Sequence, residues 1–149
     1  MELKKSEIKN VNEIYSLVQK TIRTVYSKYY APGVVDFFCN HHSLERIAED
    51  IEKGIVYIIH EDGEIVATGT LDGNHITRVF VNPEHQKKGI GTFIFDSFEK
   101  MIFDNGEHVE LDASLAASLM YEKRGYKTIR HETIECENGD ILVYEVMEK

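Results

Sequence analysis

Little in this chain can cross-link it, anchor it or attract a polyanion. It holds two cysteines in 149 residues, and Cys39 and Cys136 lack the spacing of a disulfide framework or zinc site, so both read as free thiols of a reducing compartment. No apolar run approaches the roughly 20 residues of a membrane helix, and Met1-Glu2-Leu3-Lys4-Lys5-Ser6-Glu7 lacks the apolar stretch of a signal peptide. A cytoplasmic protein with no membrane partner is expected. Basic residues are outnumbered, 17 Lys+Arg against 26 Asp+Glu, for a net charge of −9. That balance opposes nucleic acid and weakly favours cationic partners, although most such charges serve only solubility. The seven histidines show no H-E-x-x-H or comparable spacing, and His41 and His42 are adjacent, so no metal is expected.

The length fits one domain over residues 1–149, large enough to bury roughly two-thirds of the surface its unfolded form exposes. Asn10-Val11-Asn12-Glu13 has capping-box form, and Val11, Ile14, Leu17, Val18, Ile22 and Val25 recur at helical spacing behind it. Ala31-Pro32-Gly33 breaks that pattern, and 34–42 reads as irregular. Ser43 then caps a helix through Leu44, Ile47 and Ile51 that ends before Gly54. Three antiparallel strands follow, 55–59, 64–70 and 76–81, turned at Asp62-Gly63 and Asp72-Gly73-Asn74. Ile90, Ile94, Phe98 and Ile102 mark a helix face closed by Asn105-Gly106. A short strand 109–111, a helix 114–124 and a strand pair, 126–134 and 141–146, complete an α/β order of one strand, two helices, three strands, helix, strand, helix and two strands. The last strand is either an exposed edge or a pairing site for a second subunit, leaving monomer and homodimer open.

The most informative stretch is Val79-Phe80-Val81-Asn82-Pro83-Glu84-His85-Gln86-Lys87-Lys88-Gly89-Ile90-Gly91. A β-branched run, a proline stop and a basic, glycine-bearing loop lead directly into a helix N-terminus. Such N-terminal N–H groups lack internal partners and sit at the positive end of the helix dipole, which suits a phosphate. The third glycine of G-x-G-x-x-G is absent and no G-x-x-x-x-G-K-[ST] occurs, which argues against dinucleotide and P-loop assignments. Gln86-Lys87-Lys88-Gly89-Ile90-Gly91 resembles instead the Q/R-x-x-G-x-G/A motif of the GNAT superfamily of acyl-CoA N-acyltransferases, entered through a V-x-P strand end at Val81 and Pro83. Downstream, Leu111-Asp112-Ala113-Ser114 with Ala117 and Tyr121-Glu122-Lys123-Arg124-Gly125-Tyr126 is similar to that family's second signature. The element order matches the same fold, a mixed, mostly antiparallel sheet flanked by helices and splayed in the middle.

The resemblance implies acetyl-CoA as donor, with its pyrophosphate on backbone N–H groups of Gln86, Lys87, Lys88, Gly89, Ile90, Gly91 and Thr92. Its pantetheine arm would pair along Val79, Phe80 and Val81 like an added strand. Tyr121 falls at the family's general-acid position, although periodicity alone reads it as a core tyrosine. Many relatives carry a base carboxylate early in the strand leading to V-x-P; here His75 and Thr77 stand there, after Asp72. His75 suits the role because imidazoles change charge near neutral pH, with Asp112 and Glu110 weaker choices. Ser114 replaces a common Asn, and its hydroxyl either meets the cofactor or caps the following helix. Tyr26, Tyr29, Tyr30, Phe37 and Phe38 lie where relatives wall the acceptor site and read as pocket lining or core. The implied reaction is acetyl transfer to a primary amine by direct attack in a ternary complex. A small-molecule amine is favoured because no extra domain for peptide recognition is evident. A protein or peptide acceptor, and a non-catalytic acyl-CoA-binding domain, are the alternatives.

Overall fold

The computed structural model describes residues 1–149. Seven strands form one sheet, β1 (Lys4–Lys5), β2 (Val56–Glu61), β3 (Glu64–Asp72), β4 (His75–Val81), β5 (Glu110–Ser114), β6 (Lys127–Glu135) and β7 (Ile141–Glu148). Their spatial order is β1-β2-β3-β4-β5-β7-β6. Only β4 and β5 run parallel; every other neighbouring pair is antiparallel. The parallel step follows from the crossover through helix α4 (Ile90–Asp104), because a hairpin cannot return a strand in the same direction. Both residues of the Asp62-Gly63 turn take positive φ, the geometry that joins β2 to β3 with the twist of the strands.

The sheet separates two apolar layers. On one face α4 buries Ile90, Ile94, Phe95, Phe98 and Ile102 against Val66, Ile76, Leu111 and Met147. On the other, α1 (Val11–Val25), α2 (Pro32–His41) and α3 (Leu44–Glu52) cover Val56, Ile58, Ile65 and Phe80 with Ile14, Val18, Ile22, Cys39 and Ile47. The close approach of α4 depends on Gly69 of β3, where a Cβ would stand 2.8 Å from the Phe98 ring and 2.9 Å from Ile94. No helix is long and apolar enough to cross a membrane.

Four local expectations are corrected. The region 34–42 is not irregular: α2 starts at Pro32, whose fixed φ and missing N–H suit the first helical position, so the proline read as a breaker is a helix start. Asn10 does not cap α1 with its side chain; it accepts instead from the Glu7 N–H at 2.8 Å, boxing the short 3-10 turn that leads in. The helix placed from Ser114 begins at Ser118 in α5 (Ser118–Lys123), and Ser114 ends β5. The terminal strand is no edge, since β7 lies between β5 and β6 and leaves β6 outermost.

Candidate functional site

Two cavities open where β4 and β5 part. Their register is limited to His75↔Glu110 and Ile76↔Leu111, after which neither strand pairs with the other. On its opposite edge β4 is bulged against β3, because pairing jumps from Thr70↔Thr77 to Thr68↔Phe80 and leaves Arg78 and Val79 opposite Gly69. The extra residue switches strand parity. Ile76 packs in the α4 layer, whereas Phe80 packs in the opposite one.

Arg78 holds this bulge. Its φ of 46° is left-handed, costing on the order of 1–2 kcal/mol for a side chain with a Cβ. Its side chain is 7% exposed, and its guanidinium donates to Asp50 Oδ2 at 2.8 Å, Thr70 Oγ1 at 3.2 Å and His42 Nδ1 at 3.2 Å. Cutting Asp50 away would leave a buried cation, a loss of about 3–5 kcal/mol. The network thus fixes the strand backbone where the two cavities meet.

One is a cavity of about 440 Å³ lined by Val79, Phe80, Val81, Gln86, Lys87, Gly89, Ile90, Gly91 and Thr92, with Thr21 and Val25 of α1 facing them. Lys87 and Gly89 both take positive φ, curling the loop so that successive amides can converge on one anion. No backbone N–H from residue 86 to 92 donates to an acceptor in the chain; the first such bond of α4 runs from Phe93 to Gly89. Gln86 Nε2 ties the loop back to the Val81 carbonyl at 3.1 Å. The seven donors are therefore available to a phosphate, and open space at Gly89 leaves room for it. Lys88 belongs to the same loop but does not line the cavity.

A second cavity, about 330 Å³, is lined by Tyr26, Phe37, Phe38, His41 and His42 on one side and by His75, Thr77, Asp112, Ser114 and Tyr144 among others. The two cavities share Tyr26, Val79, Phe80, Phe95 and Tyr121. Tyr121 is held edge-on by Phe95 at 5.4 Å and Tyr126 at 5.8 Å. Burial pushes its phenol up to about 12, so it is protonated at neutral pH. Behind it, buried Glu99 of α4 accepts from Tyr126 at 2.7 Å, Arg124 at 3.3 Å and Lys149 at 2.9 Å. That hub clamps the end of α5 onto α4.

His75 Nε2 stands 3.7 Å from Asp112 Oδ2, with His75 in the first paired step of β4 and β5 and Asp112 just past the last. Ser114 Oγ accepts the Ala117 N–H at 3.2 Å, so it caps the turn before α5, and it lines the second cavity rather than the loop cavity. Of the aromatic group, Tyr26, Phe37 and Phe38 line the second cavity. Tyr29 is 65% exposed, and Tyr30 packs on Tyr26 and Phe38 and lines neither cavity. Asp72 and Glu110 line neither cavity.

Sequence reasoning missed the wall made by His41, His42 and Arg78. Its signal was Pro32 as a helix start: once 32–41 is a helix, Phe37, Phe38 and His41 share a face at i, i+1 and i+4. Helix α2 is seated by Asp140 of the β6–β7 turn, whose Oδ2 accepts from Gly33 N at 2.9 Å, and any Cβ at Gly33 would collide with the Glu137 carbonyl.

A splayed mixed sheet, a curled loop of free amides and a tyrosine between two cavities together define an acyl-CoA N-acyltransferase architecture. The Acetyltransferase (GNAT) domain family matches residues 23–144, and the chain belongs to that family of acetyltransferase enzymes. It is 29% identical to S-(2-succino)cysteine N-acetyltransferase of Bacillus subtilis, over 74% of this chain and 76% of that protein. Among solved structures, a GCN5-related N-acetyltransferase from Rhodopseudomonas palustris matches with TM-score 0.89 at 22% identity, covering 99% of this chain and 94% of its own. The PaiA N-acetyltransferase of Thermoplasma acidophilum, in complex with coenzyme A, matches with TM-score 0.74 at 17% identity over 99% and 97% of the two chains.

Proposed function

We propose that this protein transfers the acetyl group of acetyl-CoA to the primary amine of a small molecule by direct attack within a ternary complex. The observation that carries this reading is the meeting of the two cavities at Val79, Phe80 and Tyr121. The loop cavity takes the pyrophosphate on the amides of residues 86–92, and the pantetheine arm lies along Val79, Phe80 and Val81, delivering the thioester to the junction. The acceptor enters through the second cavity. Coenzyme A in the Thermoplasma neighbour and an amino-acid acceptor in the name of the Bacillus relative support both halves.

His75, paired with Asp112, takes a proton from the amine, directly or through one water. The nitrogen then forms its bond to the thioester carbon, and the developing oxyanion is met by backbone N–H groups of the bulged strand around Val79. Collapse breaks the C–S bond and yields the N-acetylated amine and CoA thiolate. A phenol near 12 protonates a thiolate whose thiol titrates near 8.5 uphill by about 5 kcal/mol. Tyr121 therefore acts first as a hydrogen-bond donor to sulfur, and its proton is replaced by the one removed from the amine. The test is release of CoA thiol by the purified protein across a panel of small amines and peptides. Release that requires a small amine is expected; none with any acceptor would leave only acyl-CoA binding, and release with peptides alone would move the assignment to protein acetylation.

A further inference from the structure

The second cavity holds two hydrogen-bond donors whose orientation can be deduced. A guanidinium has no lone pair to offer, so a ring nitrogen facing one must itself be unprotonated. Arg78 Nε faces His42 Nδ1 at 3.2 Å, and Arg46 Nη1 faces His41 Nδ1 at 3.3 Å. Each neutral imidazole must then carry its hydrogen on Nε2. Neither Nε2 has a partner in the chain, both residues line the cavity, and the rings lie 4.9 Å apart at 70°.

The surrounding charges agree. Burial first, then Arg78, His41 and Arg46, hold His42 down at about 3; burial, Arg46 and Arg78 also lower His41, against a smaller opposing pull from Asp112. Burial disfavours a charge of either sign, but the share contributed by Arg46 and Arg78 is a positive potential, which repels an ammonium and favours an anion. Asp50, at 2.8 Å from Arg78, offsets part of that charge and holds the guanidinium in place. Asp112, 3.7 Å from His75, supplies the opposite polarity within the same cavity.

We propose that His41 and His42, backed by Arg46 and Arg78, form a carboxylate-binding subsite, and that the acceptor is an amino-carboxylic acid rather than a plain alkylamine. This rests on the acetyl-transfer reading of the same cavity. The carboxylate accepts from the two Nε2–H groups, which turns the amine toward His75 and Asp112. Charge-assisted bonds of this kind are about twice as strong as neutral ones and are made only by the carboxylated partner.

The test has two arms. In the first, full-length protein saturated with CoA is titrated with succinate, which has no amine to acetylate, while the imidazole ¹⁵N resonances are followed. Saturable shifts of both Nε2 signals are expected, with affinity falling about ten-fold or more in a His41→Asn/His42→Asn variant, given the usual strength of a bond to a charged group. Asparagine Oδ1 keeps an acceptor for each arginine, and its shorter amide does not reach the position of the Nε2–H donor; the single His41→Asn variant, at an exposed residue, serves if the double variant does not fold. In the second, kcat/KM for methionine is compared with that for 3-(methylthio)propylamine, its decarboxylated analogue. A preference of about ten-fold or more for methionine that collapses in the variant supports the subsite. Equal use of the two amines, or Nε2 signals indifferent to succinate, overturns it. Failure of every amine would end the acetyl-transfer reading, and the succinate arm alone would then decide the subsite.

Discussion

Replacing His42 by asparagine should make the fold less sensitive to acid. The ring is held neutral by burial and by Arg78 on β4, His41 on α2 and Arg46 on α3, at about 3 against an ordinary 6.5. As pH falls through 6.5 the unfolded chain takes up this proton and the folded one does not. The stability is therefore complete above 6.5 and is lost progressively between 6.5 and about 3. From pH 8 to pH 5.5, just above the isoelectric point near 5.2, one such group costs about 1.4 kcal/mol. That is roughly 3–6 °C in Tm for a domain of this size. The assay is thermal unfolding by circular dichroism at several pH values for both proteins. Asparagine retains the acceptor for Arg78 Nε and does not titrate, so the gap between the two Tm curves should change by that amount over the interval. Curves that stay parallel would refute the neutral, Arg78-locked imidazole.

Tyr121→Phe should lower kcat by about 10²–10³-fold with acetyl-CoA affinity within about two-fold, measured by CoA release and by calorimetric titration; an undiminished rate removes the phenol from the chemistry. With the phenol near 12, wild-type kcat should show no fall attributable to its ionisation up to about pH 10. Gly89→Ala forces a side chain into the left-handed region at φ 82°, costing about 1 kcal/mol of stability. Because its Cβ enters the open space of the loop, the calorimetric Kd for CoA should rise at least about ten-fold. Glu99→Ala leaves Tyr126 and Lys149 without their acceptor while Arg124 keeps its bond to Asp96 at 2.8 Å, and should cost about 1–3 kcal/mol in denaturant unfolding; a loss under about 0.5 kcal/mol would show that the hub does not hold the tyrosine helix.

What was legible in the sequence was local. Asp62-Gly63 prescribed its turn because both positions need positive φ, and Ile90, Ile94, Phe98 and Ile102 prescribed one helix face by spacing. The row of free amides before α4 was legible because unpaired N–H groups at a helix start follow from chain chemistry alone. Pro32 was misread because a proline ends one helix by the same properties that start another, and the choice depends on α2 docking onto Asp140, a residue far along the chain. The burial of β7 between β5 and β6 is a long-range pairing with no local mark. Arg78 at the bulge was hidden for a similar reason: nothing in the sequence announces a left-handed arginine, since what stabilises it is Asp50, Thr70 and His42 brought from α3, β3 and the end of α2. His75 and Asp112 were each noted, but their meeting at 3.7 Å depends on the single parallel pairing in the sheet.

The central claim, that acetyl-CoA is held by the loop before α4 and presented at Tyr121, is tested most directly by following backbone amide resonances during titration of the full chain with CoA. The account predicts saturable shifts concentrated at residues 86–92 and 79–81, with the largest at the amides of Gly89, Ile90 and Gly91. Binding that leaves those amides unmoved while shifting others would contradict it.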